Sequence, residues 1–503
     1  MRILQLGSTN WADQYQLPKD MDWEFNVFPN PDMQKAKKGF DAVIIAGPVT
    51  WSSKKWNQLL RKVDPYHVIY LPAAMQKLDK AGQLFIQCSN ATEITEDPQT
   101  VIDHLPTRLF FGQSGIRFMP SSFQPLMDRI ESFQMMDQSH IKMEIDTDGQ
   151  WVNIGNFRDN IFIDPGKLMS LWLEMESDGL EARLRVFIQP SGGDGDVKDC
   201  YLVSIGSNLD NPPLPISAAD YPRYASVSLE VKGSGDFTLG ILHSRWSREG
   251  YGDFIAGGKR IVNPANHEDI AYFFSNGDLR PPLNVYFSGA RSAEGFEAFP
   301  LFHNLHAPML LFTDMRQEAG QFYTTSYMEE HIKSVIDQCL KQLGFNRSQL
   351  VMNGISMGTY PALKLGVQMQ VGFINVAKQI SNLGYVSRRA RLQRPGAFET
   401  SYDIDNRLVK QLDDKNLQKL DNDYWELFNK QDLSNTRLFV AYMENDDYDD
   451  HAIKHLRESA AIAKAKQFVY RGFPGRHNDN RQINYWFMRR LQQILRQDFS
   501  REL

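Results

Sequence analysis

Residues 350–366 read LVMNGISMGTYPALKLG, and the order of textures in this stretch decides how the carboxyl-terminal half folds. Leu350 to Met352 is a short apolar strand, Gly354-Ile355-Ser356-Met357-Gly358 follows it, and Thr359 to Met369 has the spacing of a helix. A strand that turns at once into a helix crowds its own backbone two positions either side of the apex, so glycines at 354 and 358 are what such a bend requires. Ser356 then sits at the apex with its hydroxyl exposed. The helix amino terminus lies behind it, where partial positive charge favours a developing anion. G-x-S-x-G alone arises by chance in many chains, and it is the flanking strand and helix that make it informative.

A serine hydroxyl is a weak nucleophile near neutral pH. It needs a base for its proton and a carboxylate to orient that base. In α/β-hydrolase-type chains the order is serine, acid, histidine. Reading onward, Leu438 to Met443 is an apolar strand that opens into ENDDYDD at 444–450, which puts carboxylates at a strand end. Asp446 is the predicted acid and Glu444 its rival, with a solvated acidic loop as the plain alternative. Gln467 to Phe473 is the next strand, followed by Pro474-Gly475-Arg476-His477, and Tyr485 to Leu495 is a final helix. Among 11 histidines, His477 is the one with both the order and the topology of the base. His451 and His455 fall in the helix after the acidic loop, and His331 in the helical stretch Tyr327 to Leu343 before the elbow strand. The tetrahedral oxyanion needs donors worth roughly 3–4 kcal/mol each. The Met357 amide is expected to be one. The loop after the strand Leu283 to Ser288, Gly289-Ala290-Arg291, is expected to supply the other, with Arg291 either binding an anionic donor or facing solvent.

Outward from this centre, 503 residues exceed what one core usually organises. We expect an N-terminal α/β region over 1–130, an antiparallel β-sandwich over 138–262, and an α/β-hydrolase-like domain over 265–503 with a helical, lid-like insertion at about 385–435. The first region shows apolar runs Ile3 to Leu6, Ala42 to Ala46, His67 to Leu71 and Leu84 to Gln87 at strand length. Gly7-Ser8-Thr9-Asn10 lacks G-x-G-x-x-G and reads as a structural turn rather than a nucleotide site. The middle region alternates in short segments, among them Ser226 to Val231 and Thr238 to Leu242, punctuated by PSGGDGD (190–196), NPPLP (211–215) and GSGD (233–236). Trp151, Trp172, Tyr201 and Trp246 there either face a carbohydrate or fill the core.

Composition excludes several classes. Hydrophobic residues are 42% and charged residues 23%, so the chain should fold rather than remain disordered. A formal net charge of -6 gives no global attraction to nucleic acid. Three cysteines, Cys88, Cys200 and Cys339, lie far apart without metal-knot spacing, so neither a disulfide framework nor a metal site is expected. The start lacks a signal-peptide core, and no stretch approaches the ~18 apolar residues of a spanning helix. A cytoplasmic protein with at most peripheral membrane attachment is expected.

With NGISMGTYPALKLG (353–366), AYMENDDYDDHA (441–452) and FPGRHND (473–479), the chain resembles an accessory Sec-system component of Gram-positive bacteria. That family is both part of the export apparatus for serine-rich repeat glycoprotein adhesins and an O-acetyltransferase. The resemblance spans the whole length. It implies Ser356 as nucleophile, an acid within 444–447 and His477 as base, acetylating N-acetylglucosamine on the adhesin before export. It also implies partnership with the accessory motor ATPase and companion secretion proteins at the inner face of the membrane. No permanently bound cofactor is expected. The acetyl donor is open, with acetyl-CoA one candidate. A carbohydrate esterase, or a secretion scaffold with a separable triad, are the competing readings.

Overall fold

The structure is a computed structural model that describes residues 1–26, 39–110, 112, 114–191, 197, 199–205, 209, 212–216, 218–252, 257–317, 321–392, 401–409, 411–479 and 481–502. The amino-terminal apolar runs become a five-stranded parallel sheet in the order Asp22–Phe25, Arg2–Leu6, Ala42–Ile45, Val68–Tyr70, Thr92–Glu93. Successive side chains of a strand point to opposite faces, and here both faces are covered. Leu4, Leu6, Val43 and Ile45 pack with Trp56, Leu59 and Phe85 on one side. Ile3, Ala42, Ile44 and Ile69 pack with Val101, Ile102 and Leu105 on the other. The run Leu84 to Gln87, expected as a strand, belongs to the helix Lys80–Cys88, because a four-residue apolar run does not distinguish the two states. Gly7 to Asn10 is a turn closed by its own neighbours: the Gly7 amide donates to Asn26 Oδ1 at 3.0 Å, and the Asn10 side chain caps the short turn at Trp11–Asp13.

The β-rich region begins at Gly115 rather than 138, inside the stretch assigned to the first region. Among the described residues ten strands are linked here by a single 25-residue strand, Arg223–Ser247, whose first half belongs to one sheet and whose second half belongs to another. The first half of that strand pairs with Leu180–Pro190 and Val152–Phe157. The second half pairs with Leu168–Ser177, Ile141–Asp146 and Gly115–Phe118. Both halves feed one core, with Val227 and Leu229 from the first and Phe237 and Leu239 from the second. GSGD, expected as a break, lies within the strand. Gly233 (φ +121°) and Gly235 (φ +150°) let it bend where any Cβ would fall 2.3 Å from the Gly179 carbonyl oxygen or 2.0 Å from that of Asp178. Of the aromatics, Trp172 is buried and donates to the His267 carbonyl at 2.7 Å, and Trp246 donates to Asp164 Oδ2 at 2.7 Å. Trp151 lies under the Arg183 guanidinium, and Tyr201 packs partly buried against the core. Residues 192–196 of PSGGDGD and Asn211 of NPPLP are outside the described residues.

The third sheet carries the elbow. Its strands are β1 (Lys259–Val262), β2 (Asp269–Ser275), β3 (Leu283–Phe287), β4 (Met309–Asp314), β5 (Leu350–Ile355), β6 (Phe373–Ala377), β7 (Arg437–Met443) and β8 (Gln467–Phe473). They run in the order β1-β2-β4-β3-β5-β6-β7-β8, antiparallel through β1, β2 and β4 and parallel from there on. β1, which lies inside the 138–262 stretch assigned to the sandwich, pairs with β2 instead. β6 has no counterpart among the expected strands, yet it separates the serine strand from the acid strand by one place. The helix Ser326–Leu343 buries Met328, Ile332, Val335, Ile336, Cys339 and Leu340, the face its periodicity predicts. Between β6 and β7 the chain forms helices Leu383–Leu392, Ser401–Leu408 and Asp414–Asn429, at the place expected for the insertion; residues 393–400 and 410 lie outside the described residues.

Buried ions join the β-rich sheet to this one. Arg245 reaches Asp269 on β2 at 2.6 and 3.0 Å and Glu294 at 2.6 Å. His243 sits between Glu294 (2.5 Å) and Glu174 (3.2 Å). Removing one partner from such a dry pair strands the other, at about 3–5 kcal/mol.

Candidate active site

β5 ends at Ile355, and the next residue, Ser356, is held at φ +55°. That conformation is unfavourable for a residue with a side chain, and the surroundings must over-determine it. They do. A Cβ on Gly354 would lie 2.2 Å from the Gly358 carbonyl oxygen, and one on Gly358 would lie 2.0 Å from that of Phe287 at the end of β3. The bend is therefore wedged against both itself and the neighbouring strand, and the helix Thr359–Gln368 starts directly beyond it.

The β8 strand ends at Phe473 and the chain turns back through Gly475 (φ +108°), so that His477 returns over the strand ends. Its Nε2 is 2.9 Å from Ser356 Oγ, and its Nδ1 is 2.9 Å from Asp446 Oδ2. The His477 backbone amide donates to Asp447 Oδ1 at 3.0 Å, and the Tyr448 ring stands edge-on to the imidazole at 4.5 Å between centroids. With Nδ1–H given to the carboxylate, Nε2 presents its lone pair to the serine hydroxyl. Asp446 is 5% exposed and His477 2%, so little water competes for these contacts. Burial alone would raise the Asp446 carboxyl. The hydrogen bond and charge of His477 and the backbone amides of Tyr448 (2.8 Å) and Asp449 (3.2 Å) outweigh it and hold the group below the ordinary carboxylate range.

Glu444 is not brought to the histidine. Its amide still pairs with the Phe473 carbonyl at 2.8 Å, continuing the β7–β8 ladder, and its exposed carboxylate lies against Gly472. Asp446 lies past the ladder, in the turn, and can face inward. His455 bonds Asn382 at 3.0 Å, His331 bonds the Tyr327 carbonyl at 2.8 Å, and His451 stacks on Tyr385, so these three stand outside the constellation.

Of the expected oxyanion donors, Met357 follows Ser356 in the turn Ser356–Gly358, and Gly289 lies beside the nucleophile: a Cβ on Gly289 would be 3.9 Å from Ser356 Cβ. The Gly289 amide donates to Glu297 Oε2 at 2.9 Å, and Ala290 is exposed. Arg291 does not reach into the site through its backbone, whose carbonyl instead accepts from Arg117 of the β-rich sheet. Asp447, which lay within the 444–447 group of candidate acids, takes a different role, and two further residues near the triad had no expected role. Asp447 fixes the histidine backbone, Glu297 holds Gly289, and Lys378 stands at the end of β6. Burial depresses the Lys378 ammonium below the ordinary lysine range although Asp446 and Glu297 both act to raise it. Neither Glu297 nor Lys378 was marked in the sequence, since the run before Lys378 is buried on both faces and shows no alternation and the Glu297 contact depends on the path of a loop. His140, Glu174 and Glu268 bring ligand-type atoms within 4.8 Å of one another. Arg316 and Arg407 already pair with Glu268, and His243 with Glu174, so the cluster is an ion-pair junction rather than a prepared cation site.

Among the described residues, no helix is long and apolar enough to cross a membrane. The family described as the accessory Sec system GspB-transporter matches residues 1–501. The chain is similar to an accessory Sec system protein of Streptococcus gordonii, 31% identical over 520 residues that cover 100% of this chain and 99% of that one. It is equally similar to the Staphylococcus aureus protein of the same name, 31% identical over 521 residues, covering 99% and 97%. Among solved structures, the Glycosylation Associate Protein (Gap123) complex from Streptococcus agalactiae contains a chain that superposes with a TM-score of 0.90 at 29% identity, covering 100% of this chain and 99% of that one.

Proposed function

The chain belongs to the accessory Sec system GspB-transporter family, and from that premise together with the site geometry we propose that it is a serine-dependent O-acetyltransferase acting on N-acetylglucosamine of a serine-rich repeat glycoprotein before export. The observation that carries this reading is the unbroken relay from Ser356 Oγ through His477 to Asp446, with 2.9 Å at each step. The chain order, with the nucleophile after β5, the acid after β7 and the histidine after β8, is the order serine, acid, histidine and supports it.

In the proposed cycle, Ser356 Oγ attacks the acetyl carbonyl while His477 Nε2 takes its proton, and Asp446 stabilises the imidazolium. The Met357 amide and the 289–290 loop receive the oxyanion, the proton passes to the leaving group, and an acetyl-serine remains. A sugar hydroxyl then gives its proton to His477 and attacks the acetyl carbonyl, the ester bond to Ser356 Oγ breaks, and His477 returns the proton to Ser356. Water reaches the same acyl-enzyme, because Ala290 and Glu297 beside the site are exposed, so a carbohydrate-esterase reaction competes.

A second role as an export component, with companion accessory secretion proteins and the accessory motor ATPase at the inner face of the membrane, fits the family and the relative solved as part of a complex. Mass spectrometry of adhesin glycans from cells carrying the wild-type chain or Ser356→Ala tests the enzymatic reading. The acetyl mass should vanish in the variant while the folded protein persists, and retained acetylation would overturn the reading. Secretion that persists in Ser356→Ala but fails on deletion marks the two roles as separable. In vitro, supplying acetyl-CoA with N-acetylglucosamine or with water alone distinguishes transfer from hydrolysis.

A further inference from the structure

Glu297 has a position that the reaction above does not use. One oxygen, Oε2, accepts from the Gly289 amide at 2.9 Å and from the Tyr286 hydroxyl at 3.0 Å. Gly289 borders the nucleophile, with a Cβ there only 3.3 Å from the Ile355 carbonyl oxygen and 3.9 Å from Ser356 Cβ. A carboxylate oxygen thus stands where an acyl oxygen would have to be to use that amide. The loop has a second hold besides Glu297. Arg117 clamps it from the β-rich sheet by donating to the Ser292 carbonyl at 2.7 Å and to that of Arg291. Tyr286 is 2% exposed and fixed, whereas Glu297 is exposed and turns on a flexible stem.

We propose that Glu297 guards the oxyanion site by occupying the Gly289 amide in the resting protein, so that an acyl donor must displace the carboxylate to gain the second oxyanion contact. Two negative oxygens cannot share one amide, and the side chain must leave before the tetrahedral intermediate forms. The inference rests on Ser356 being the nucleophile. Every donor that uses the Gly289 amide bears this cost, so small activated esters, which bind weakly to begin with, turn over slowly on the native chain.

The test compares wild type, Glu297→Ala and Glu297→Gln in p-nitrophenyl acetate turnover, with stability followed in parallel. Glu297→Ala should raise kcat/KM by about tenfold or more through a lower KM, since the competent fraction sets apparent affinity. Glu297→Gln should rise less, because its amide oxygen still accepts both donors. A structure of the wild-type chain with phenylboronic acid on Ser356 should show a boronate oxygen on the Gly289 amide and Glu297 turned away. A folded Glu297→Ala no faster than wild type, or a boronate adduct with Glu297 still on Gly289, overturns the inference while leaving the nucleophile intact. If Ser356 reacts with neither reagent in any variant, the nucleophile assignment falls and this inference falls with it.

Discussion

Gly354 and Gly358 face each other across the elbow so closely that a single methyl carbon on Gly354 would sit 2.2 Å from the carbonyl oxygen of Gly358 and 2.9 Å from the Thr359 nitrogen. The three nearest atoms it would meet all belong to the backbone, so no flexible side chain can yield there. Gly354→Ala must therefore open the bend that holds Ser356 at positive φ. We expect a stability loss of about 1–3 kcal/mol in chemical denaturation and loss of Ser356 acylation in active-site titration. A variant that keeps both would show that the bend is not wedged as described.

The two carboxylates at 444 and 446 differ in what their backbones do. Glu444 remains in the β7–β8 ladder and Asp446 does not, so only Asp446 can turn to His477. Asp446→Asn keeps the shape but offers Nδ1 a carboxamide, which favours the wrong imidazole tautomer and withdraws the charge that steadies the imidazolium. Acyl transfer should fall by roughly 10³–10⁴-fold, with thermal stability little changed by comparison. Glu444→Gln should stay within about twofold, in line with an exposed surface substitution. Comparable losses in both variants would mean that the acid role is shared or misassigned.

What could be read in the sequence was what a local rule fixes. The elbow was legible because a tight strand-to-helix turn forces glycine at two positions, and His477 because strand order restricts the choice. β6 was not legible, since Phe373–Ala377 is buried on both faces and shows no alternation. The long strand Arg223–Ser247 was divided at Gly233 and Gly235, because glycines that mark turns elsewhere serve here to bend a continuous strand. The choice between Glu444 and Asp446 depended on where a ladder stops, and the contact of Glu297 with Gly289 on the path of a loop. Neither leaves a pattern in composition or spacing.

Asp449 gives a pH dependence of known sign. Its carboxylate accepts from the amides of Ser381 (2.7 Å) and Asn382 (2.9 Å) and from Asn382 Nδ2 (2.8 Å), tying the acid loop to the segment that leads into the helix Leu383–Leu392. Burial nonetheless outweighs these bonds and pushes the group up to about 6. An unfolded aspartate titrates near ~3.9, so the folded chain binds this proton more tightly. Stability must then fall as pH rises from about 4 to about 6, with the full cost present above that. Asp403 and Asp421, pushed up to about 6 and about 7, add the same trend to every variant. The difference between wild type and Asp449→Asn isolates the one group. In urea denaturation, the stability of wild type relative to Asp449→Asn should drop by roughly 1 kcal/mol between about pH 5 and about pH 7.5. A gap that stays constant, or widens in favour of wild type, would mean that this carboxylate is already ionised in mild acid and that its three donors, rather than its burial, set its charge.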